Sequence, residues 1–224
     1  MRANANCTGR LRTMHPRLTR RGLYAISDGP RPDLFAVVKA ALRGGAELLQ
    51  YRDKSADSAR RAFEARALRE LCARFEVPLI INDDVELALA VGADGVHLGE
   101  DDGDVAAARA RLGAGAIIGV SCYDSLARTR QMAAAGADYL AFGAFFPSPT
   151  KPNARRATPD LLRSAKPLGL PRAAIGGITP DNARPLVEAG ADFLAVISGV
   201  FGTPDPCAAA EKYKKLFLDA DRHG

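Results

Sequence analysis

The chain states one local grammar four times: a Gly-Ala-acid step that runs straight into a short apolar strand. The steps are Gly45-Ala46-Glu47 before Leu48-Leu49-Gln50, Gly92-Ala93-Asp94 before Gly95-Val96-His97-Leu98, Gly136-Ala137-Asp138 before Tyr139-Leu140-Ala141-Phe142, and Gly190-Ala191-Asp192 before Phe193-Leu194-Ala195-Val196. Glycine accepts the left-handed conformation that ends a helix, and a short uninterrupted apolar run is how a strand buried on both faces reads. Successive glycines stand 47, 44 and 54 residues apart, enough for two βα units in each interval.

A further strand is therefore expected inside each interval and one ahead of the first step, and apolar runs at 79–82, 116–121 and 173–178, with 23–27 in front, supply them. Helix-patterned stretches separate the strands. Leu68, Leu71, Cys72 and Phe75 fall at i, i+3, i+4 and i+7 with arginines and glutamates opposite, which is one apolar helix face. Asp57, Asp84, Asp104 and Asp124 stand where N-caps are expected. Eight alternating strands and helices predict an α/β fold, a single (β/α)8 TIM barrel with its active site at the C-terminal ends of the strands. A doubly wound open sheet is the alternative. It would more usually carry a GxGxxG turn after the first strand, where this chain reads Ser27-Asp28-Gly29-Pro30.

The 224 residues suit one such domain, assigned to 22–220, and no apolar run is long enough to span a membrane. The net charge of +5 is misleading. Residues 1–21 hold six arginines and no acid, which leaves 25 basic against 26 acidic residues, a net of −1, for everything after. Only 6% of residues are aromatic and they interleave with no basic stripe, so a nucleic-acid partner is not expected. The segment 1–21 reads as a disordered basic tail, with a transit peptide as the competing reading and Met14 as an alternative start. Four separated cysteines (Cys7, Cys72, Cys122, Cys207) pattern neither a zinc site nor a disulfide scaffold. Free thiols in a reducing cytoplasm are expected.

Polar residues collect where the barrel argument puts chemistry. The second strand ends in Gln50-Tyr51-Arg52-Asp53-Lys54, the third in Asn82-Asp83-Asp84, and the fourth runs into His97-Leu98-Gly99-Glu100-Asp101-Asp102. The fifth ends at Ser121, the sixth leads to Ser148-Pro149-Thr150-Lys151, the seventh ends in Gly176-Gly177-Ile178, and the eighth leads to Ile197-Ser198. Cations, amides, hydroxyls and bare backbone amides on one rim describe a receptacle for phosphate oxygens. Arg52 and Lys54 are two apart and converge on one anion if the strand continues. Asp83 with one acid from 100–102 suits Mg2+ held against a diphosphate. Asp84 and Asp104 read as helix caps, and His97 as a hydrogen-bonded residue of the barrel interior. No Ser/His/Asp triad is legible.

Seven motifs in order, namely Gln50-Tyr51-Arg52-Asp53-Lys54, Asn82-Asp83-Asp84, His97 to Asp102, Gly119-Val120-Ser121, Pro147-Ser148-Pro149-Thr150-Lys151, Ile175-Gly176-Gly177-Ile178 and Ile197-Ser198, make the chain similar to the thiamine-phosphate synthase family from Leu23 to about Phe201. The resemblance implies a transferase that condenses hydroxymethylpyrimidine diphosphate with a (carboxy)thiazole phosphate by a dissociative carbocation route. It implies that Gln50, Tyr51, Arg52, Asp53, Lys54, Asn82, Ser121 and Lys151 hold the pyrimidine diphosphate, with Arg52, Lys54 and Lys151 stabilising the leaving group. Asp83 and Asp102 would bind Mg2+, and Ser148, Pro149, Thr150, Gly177, Ile197 and Ser198 would surround the thiazole phosphate. The expected partners are these small molecules, without nucleic acid or membrane, in the cytoplasm; oligomerisation is left open.

Three positions depart from the family pattern: Ser148 stands for a usual Thr, Glu100 for a common Gln, and Tyr123 for a frequent His. Two rival functions share the barrel. A thiazole tautomerase would need no diphosphate-and-metal cluster, which Arg52, Lys54, Asp83 and Asp102 supply. A non-catalytic phosphate-sensing barrel draws on the same groups as an enzyme and is separated only by assay.

Overall fold

The structure, a computed structural model, describes residues 14–147 and 155–223. Eight strands, β1 (Gly22–Ile26), β2 (Ala46–Tyr51), β3 (Leu79–Asn82), β4 (Gly95–Leu98), β5 (Ile117–Tyr123), β6 (Tyr139–Phe142), β7 (Arg172–Ile175) and β8 (Phe193–Val196), close into a barrel in sequence order. Every neighbouring pair is parallel, and β1 closes on β8 with Leu23 opposite Leu194. The helices are α1 (Leu34–Arg43), α2 (Ser58–Arg74), α3 (Val85–Val91), α4 (Val105–Leu112), α5 (Leu126–Ala135), α6 (Pro159–Ala165), α7 (Arg184–Glu188), a short α8 (Ser198–Phe201) and α9 (Pro206–His223). The TIM barrel expected from the repeats is thus the observed fold, and α9 carries it past the expected end at 220.

The repeated step has a physical job at the N-terminal rim. All four glycines, Gly45, Gly92, Gly136 and Gly190, have positive φ between 62° and 104°, the turn that ends one helix and starts the next strand. Three of the acids reach across to the preceding strand. Asp94 accepts from the Leu79 amide at 2.8 Å, Asp138 from Ile118 at 2.8 Å and Asp192 from Arg172 at 2.9 Å. Each is also paired with arginine: Asp94 with Arg17, Asp138 with Arg109, Asp192 with Arg172. The units of β4, β6 and β8 thereby lock their preceding neighbours' register. Replacing Asp138 by Ala removes a charge-assisted acceptor from a buried amide and is expected to lower stability by about 2 kcal/mol, read from urea unfolding; a loss below a few tenths would refute the lock.

Strand alternation sorts the core into two shells. Leu23, Leu49, Ile81 and Leu140 face the helices, while Tyr24, Ile26, Leu48, Ile80, Tyr139 and Phe193 fill the barrel interior. Leu18 joins that interior cluster at 3% exposure. The segment 14–21, expected as part of a loose tail, therefore packs on the N-terminal mouth, because an open barrel end needs an apolar plug. Arg17, Arg20 and Arg21 meet Asp94, Glu47 and Asp192 there. Residues 1–13 of the expected tail lie outside the described residues.

Asp57, Asp84 and Asp104 cap α2, α3 and α4 as expected, each accepting backbone amides from the first turn. The cap of α5 is Ser125, one residue past Asp124; the serine hydroxyl accepts from the Arg128 amide and Asp124 instead faces Arg155. β5 runs two residues beyond Ser121, and 176–178 leave β7 as a turn. No helix among the described residues is long and apolar enough to cross a membrane.

Candidate active site

The C-terminal ends of β2, β3 and β4 supply a polar cavity of about 530 Å³ whose lining includes Lys54, Asn82, Asp83 and Asp102. A separate apolar hollow bounded by Pro30, Phe35 and Phe63 lies outside, against α1 and α2. Gln50 points into the barrel, where its amide donates to the Tyr24 hydroxyl at 2.6 Å. Beyond the end of β2 at Tyr51 a lone bridge from Asp53 to Gly29 keeps the chain beside the loop that follows β1; extended alternation would set Arg52 on the side of Lys54, which reaches Asp83 at 3.5 Å.

The same alternation turns Tyr51 and Asp53 away. Tyr51 is buried and donates to Glu64 of α2 at 2.6 Å, and Asp53 takes Arg60 at 2.7 Å and the Ser55 amide at 2.8 Å. The resemblance places both at the pyrimidine diphosphate, but their side chains belong to the helix layer. Arg60 also grips Glu64 at 3.0 Å, so these four residues tie the loop carrying Arg52 and Lys54 to α2. Burial, and next the bond from Arg60, compete at Asp53; the net result holds its carboxyl below the usual carboxylate range.

Asp83 sits at φ +63°, a left-handed backbone that few residues other than glycine adopt readily. Strain of this kind is tolerated where the surroundings dictate it, commonly at a functional site. Here the Asp83 amide donates to the His97 carbonyl at 2.8 Å, and Asn82 donates to the Asp83 carboxylate at 2.5 Å. Burial, and then the facing carboxylate of Asp102, push the Asp83 carboxyl above its ordinary range, with Lys54 pulling part of the way back. Asp102 accepts from the Gly99 amide at 2.9 Å. Two hard carboxylates forced together match a divalent cation that takes its remaining ligands from phosphate and water. Among the described residues no group of three or more His, Cys, Asp or Glu side chains is assembled for a metal.

Glu100 turns to Arg155 at 3.4 Å, away from the Asp83 and Asp102 pair. Tyr123, also at positive φ, lies under the guanidinium of Arg155 at 5.3 Å, and its hydroxyl accepts from the Glu100 amide at 3.2 Å. The two departures on this side of the mouth thus brace the loop after β4.

Below the mouth, four hydrogen bonds cross the interior. Gln50 meets Tyr24, Tyr24 meets Tyr139 at 2.7 Å, Tyr139 meets His97 Nδ1 at 2.8 Å, and His97 Nε2 meets Ser121 at 3.0 Å. His97 is the hydrogen-bonded interior residue expected of it. Burial, the largest cause, pulls its basicity down to about 4, so the ring is neutral near pH 7. Tyr24 and Tyr139 escaped sequence reasoning, although a hydroxyl within an otherwise apolar buried strand is a legible signal.

At the β7 and β8 corner, Gly177 has φ +62° and a Cβ there would meet the Pro147 carbonyl at 2.3 Å, so the backbone approach requires glycine. Asn182 pins this turn by donating to the Gly177 carbonyl at 3.0 Å. Ile197 precedes and Ser198 begins α8, the kind of short extra helix that barrels use beside a phosphate. Ser148, Pro149, Thr150 and Lys151 lie outside the described residues.

The model of the thiamine monophosphate synthase family matches residues 23–200. A thiamine-phosphate synthase of Xanthomonas campestris pv. campestris is 64% identical over 169 residues, covering 75% of this chain and 82% of that protein. Another, from Azoarcus, is 59% identical over 200 residues, covering 88% and 97%. The solved thiamine phosphate pyrophosphorylase of Pyrococcus furiosus superposes with a TM-score of 0.82 at 35% identity, covering 90% of this chain and 98% of that one.

Proposed function

Because the chain belongs to the thiamine monophosphate synthase family, a family of transferases, we propose that its barrel mouth joins hydroxymethylpyrimidine diphosphate to a thiazole phosphate. The observation that carries the detailed reading is the meeting of Lys54, Asn82, Asp83 and Asp102 in one cavity, above Gln50 and Ser121. Cations beside paired carboxylates suit a diphosphate and a divalent ion together, and they have no use in a thiazole tautomerase.

The bond between the pyrimidinylmethyl carbon and oxygen breaks with both electrons leaving on the diphosphate. The thiazole nitrogen then gives its lone pair to the carbon, and a carboxylated thiazole loses carbon dioxide. This barrier is charge separation, so the relevant catalysis is electrostatic. Arg52, Lys54 and Lys151 stabilise the departing oxygens, while Gln50, Asn82 and Ser121 orient the pyrimidine half. Gly177, Ile197 and Ser198, with Ser148, Pro149 and Thr150, hold the thiazole phosphate through backbone amides and hydroxyls. Asp83 and Asp102 would hold Mg2+, which when bound adds positive charge at the diphosphate. The setting we assign is cytoplasmic, with small molecules as the only required partners.

Supplying both substrates with Mg2+ is expected to yield thiamine phosphate and diphosphate in equal amounts, with turnover abolished by a chelator and restored by Mg2+. Absence of product with either thiazole form would overturn the assignment; chelator-insensitive turnover would overturn the metal role.

A further inference from the structure

The interior hydrogen bonds form an unbroken file between two walls of the mouth, and each link needs one proton and no more. Tyr24 and Tyr139 bring one hydroxyl hydrogen each, and a neutral imidazole brings one N-H and one lone pair. With every buried hydroxyl hydrogen spent inside the file, it has only two senses. If Gln50 donates, as it does here to Tyr24, then Tyr24 donates to Tyr139, Tyr139 to His97 Nδ1, and His97 Nε2-H to Ser121. The Ser121 hydrogen is left free for a ligand, and Gln50 keeps its carbonyl oxygen. In the reverse sense Ser121 spends its hydrogen on His97 and Gln50 turns its amide outward.

We propose that Tyr24, Tyr139 and His97 are positioning residues that tie the hydrogen-bonding sense of Gln50 to that of Ser121, so that the mouth offers a fixed acceptor on one wall and a fixed donor on the other. The packing supports a dedicated device. Tyr24, Gln50 and Tyr139 are at most 2% exposed, so water does not compete for these links. His97 stacks on the Tyr139 ring with centroids 5.6 Å apart. A Cβ at Gly119 would lie 1.9 Å from that ring, so the strand is cleared of side chain where the tyrosine must lie. The chemical consequence rests on the function proposed above: diphosphate oxygens and ring nitrogens only accept, so Ser121 must donate, while an exocyclic amino group needs the acceptor on Gln50.

The chain has three histidines, so ¹⁵N-histidine NMR of the full-length protein reads His97 directly. The expected free enzyme carries its imidazole proton on Nε2. Gln50→Glu, recorded at pH 9, leaves an acceptor only; it should reverse the file and move the proton to Nδ1, on the far side of both tyrosines. Adding Tyr24→Phe should abolish that response. A proton on Nδ1 in the unmodified protein, or a tautomer indifferent to Gln50→Glu, would overturn the proposal. A kinetic split is the second readout. Tyr139→Phe should raise KM for the pyrimidine diphosphate about fivefold to tenfold with KM for the thiazole phosphate unchanged. An equal rise in both marks a packing defect and overturns it. The NMR result stands without turnover, so failure of the relay and failure of the assigned reaction are separately visible.

Discussion

Asp83→Asn is expected to lower turnover by about 10² to 10³-fold while the melting temperature holds or rises. The two outcomes have a common origin. In the folded chain the Asp83 carboxylate is half-buried and faces Asp102, and both effects disfavour its charge. Removing that charge relieves repulsion, so the fold gains. Asparagine tolerates the left-handed backbone at φ +63° better than alanine, and it still accepts from Asn82. The variant gives up the ion pair with Lys54, but that lysine side chain is 63% exposed, and an ion pair so open to water contributes little. In the mechanism proposed above, catalysis would lose what the fold does not need, a charged hard ligand for Mg2+ beside the diphosphate. Steady-state kinetics at saturating Mg2+, with calorimetry on the same preparation, checks both. Turnover within about threefold of the unmodified enzyme would remove Asp83 from the mechanism, and a large fall in melting temperature would make the loss one of folding.

How much of this is legible in the sequence depends on whether the information is local. The four glycine steps report backbone turns that only their own neighbours determine, so strand count, closure and the identity of the rim can be read in order. The roles of Asp57, Asp84 and Asp104 as caps are local in the same sense. Tyr51 and Asp53 are placed at the diphosphate by the resemblance, although the two-residue period of Gln50, Arg52 and Lys54 assigns both to the opposite face, where their side chains meet Glu64 and Arg60. The choice of Ser125 over Asp124 as the α5 cap turns on a single residue of register, which alternation does not specify. Leu18 and the interior file are hidden for a different reason. Tyr24 and Tyr139 are 115 residues apart, and nothing in either neighbourhood announces the other. Their meeting follows only from closing the barrel, which brings β1, β2, β4, β5 and β6 around one axis.

Acid unfolding should expose the cost of keeping His97 neutral. The folded ring titrates near 4 because burial disfavours the imidazolium, with the Asp102 charge offsetting only part of that, whereas an unfolded histidine titrates near 6.5. Between those values the unfolded chain binds a proton that the folded chain refuses. The stabilisation is therefore complete above pH 6.5 and is lost as pH falls toward 4, amounting to about 3 kcal/mol over the window. His97→Gln removes this titration while leaving every other group in place, so the comparison isolates it. In urea unfolding the unmodified protein should lose about 3 kcal/mol more than the variant between pH 7 and pH 4, although the variant starts lower at pH 7. Parallel stability curves would show that the folded ring titrates as an unfolded histidine does, with no burial cost. An unmodified protein that instead gained stability over the variant as pH falls would carry an N-H on both ring nitrogens in the fold, leaving the file between Gln50 and Ser121 without the single lone pair that gives it a direction.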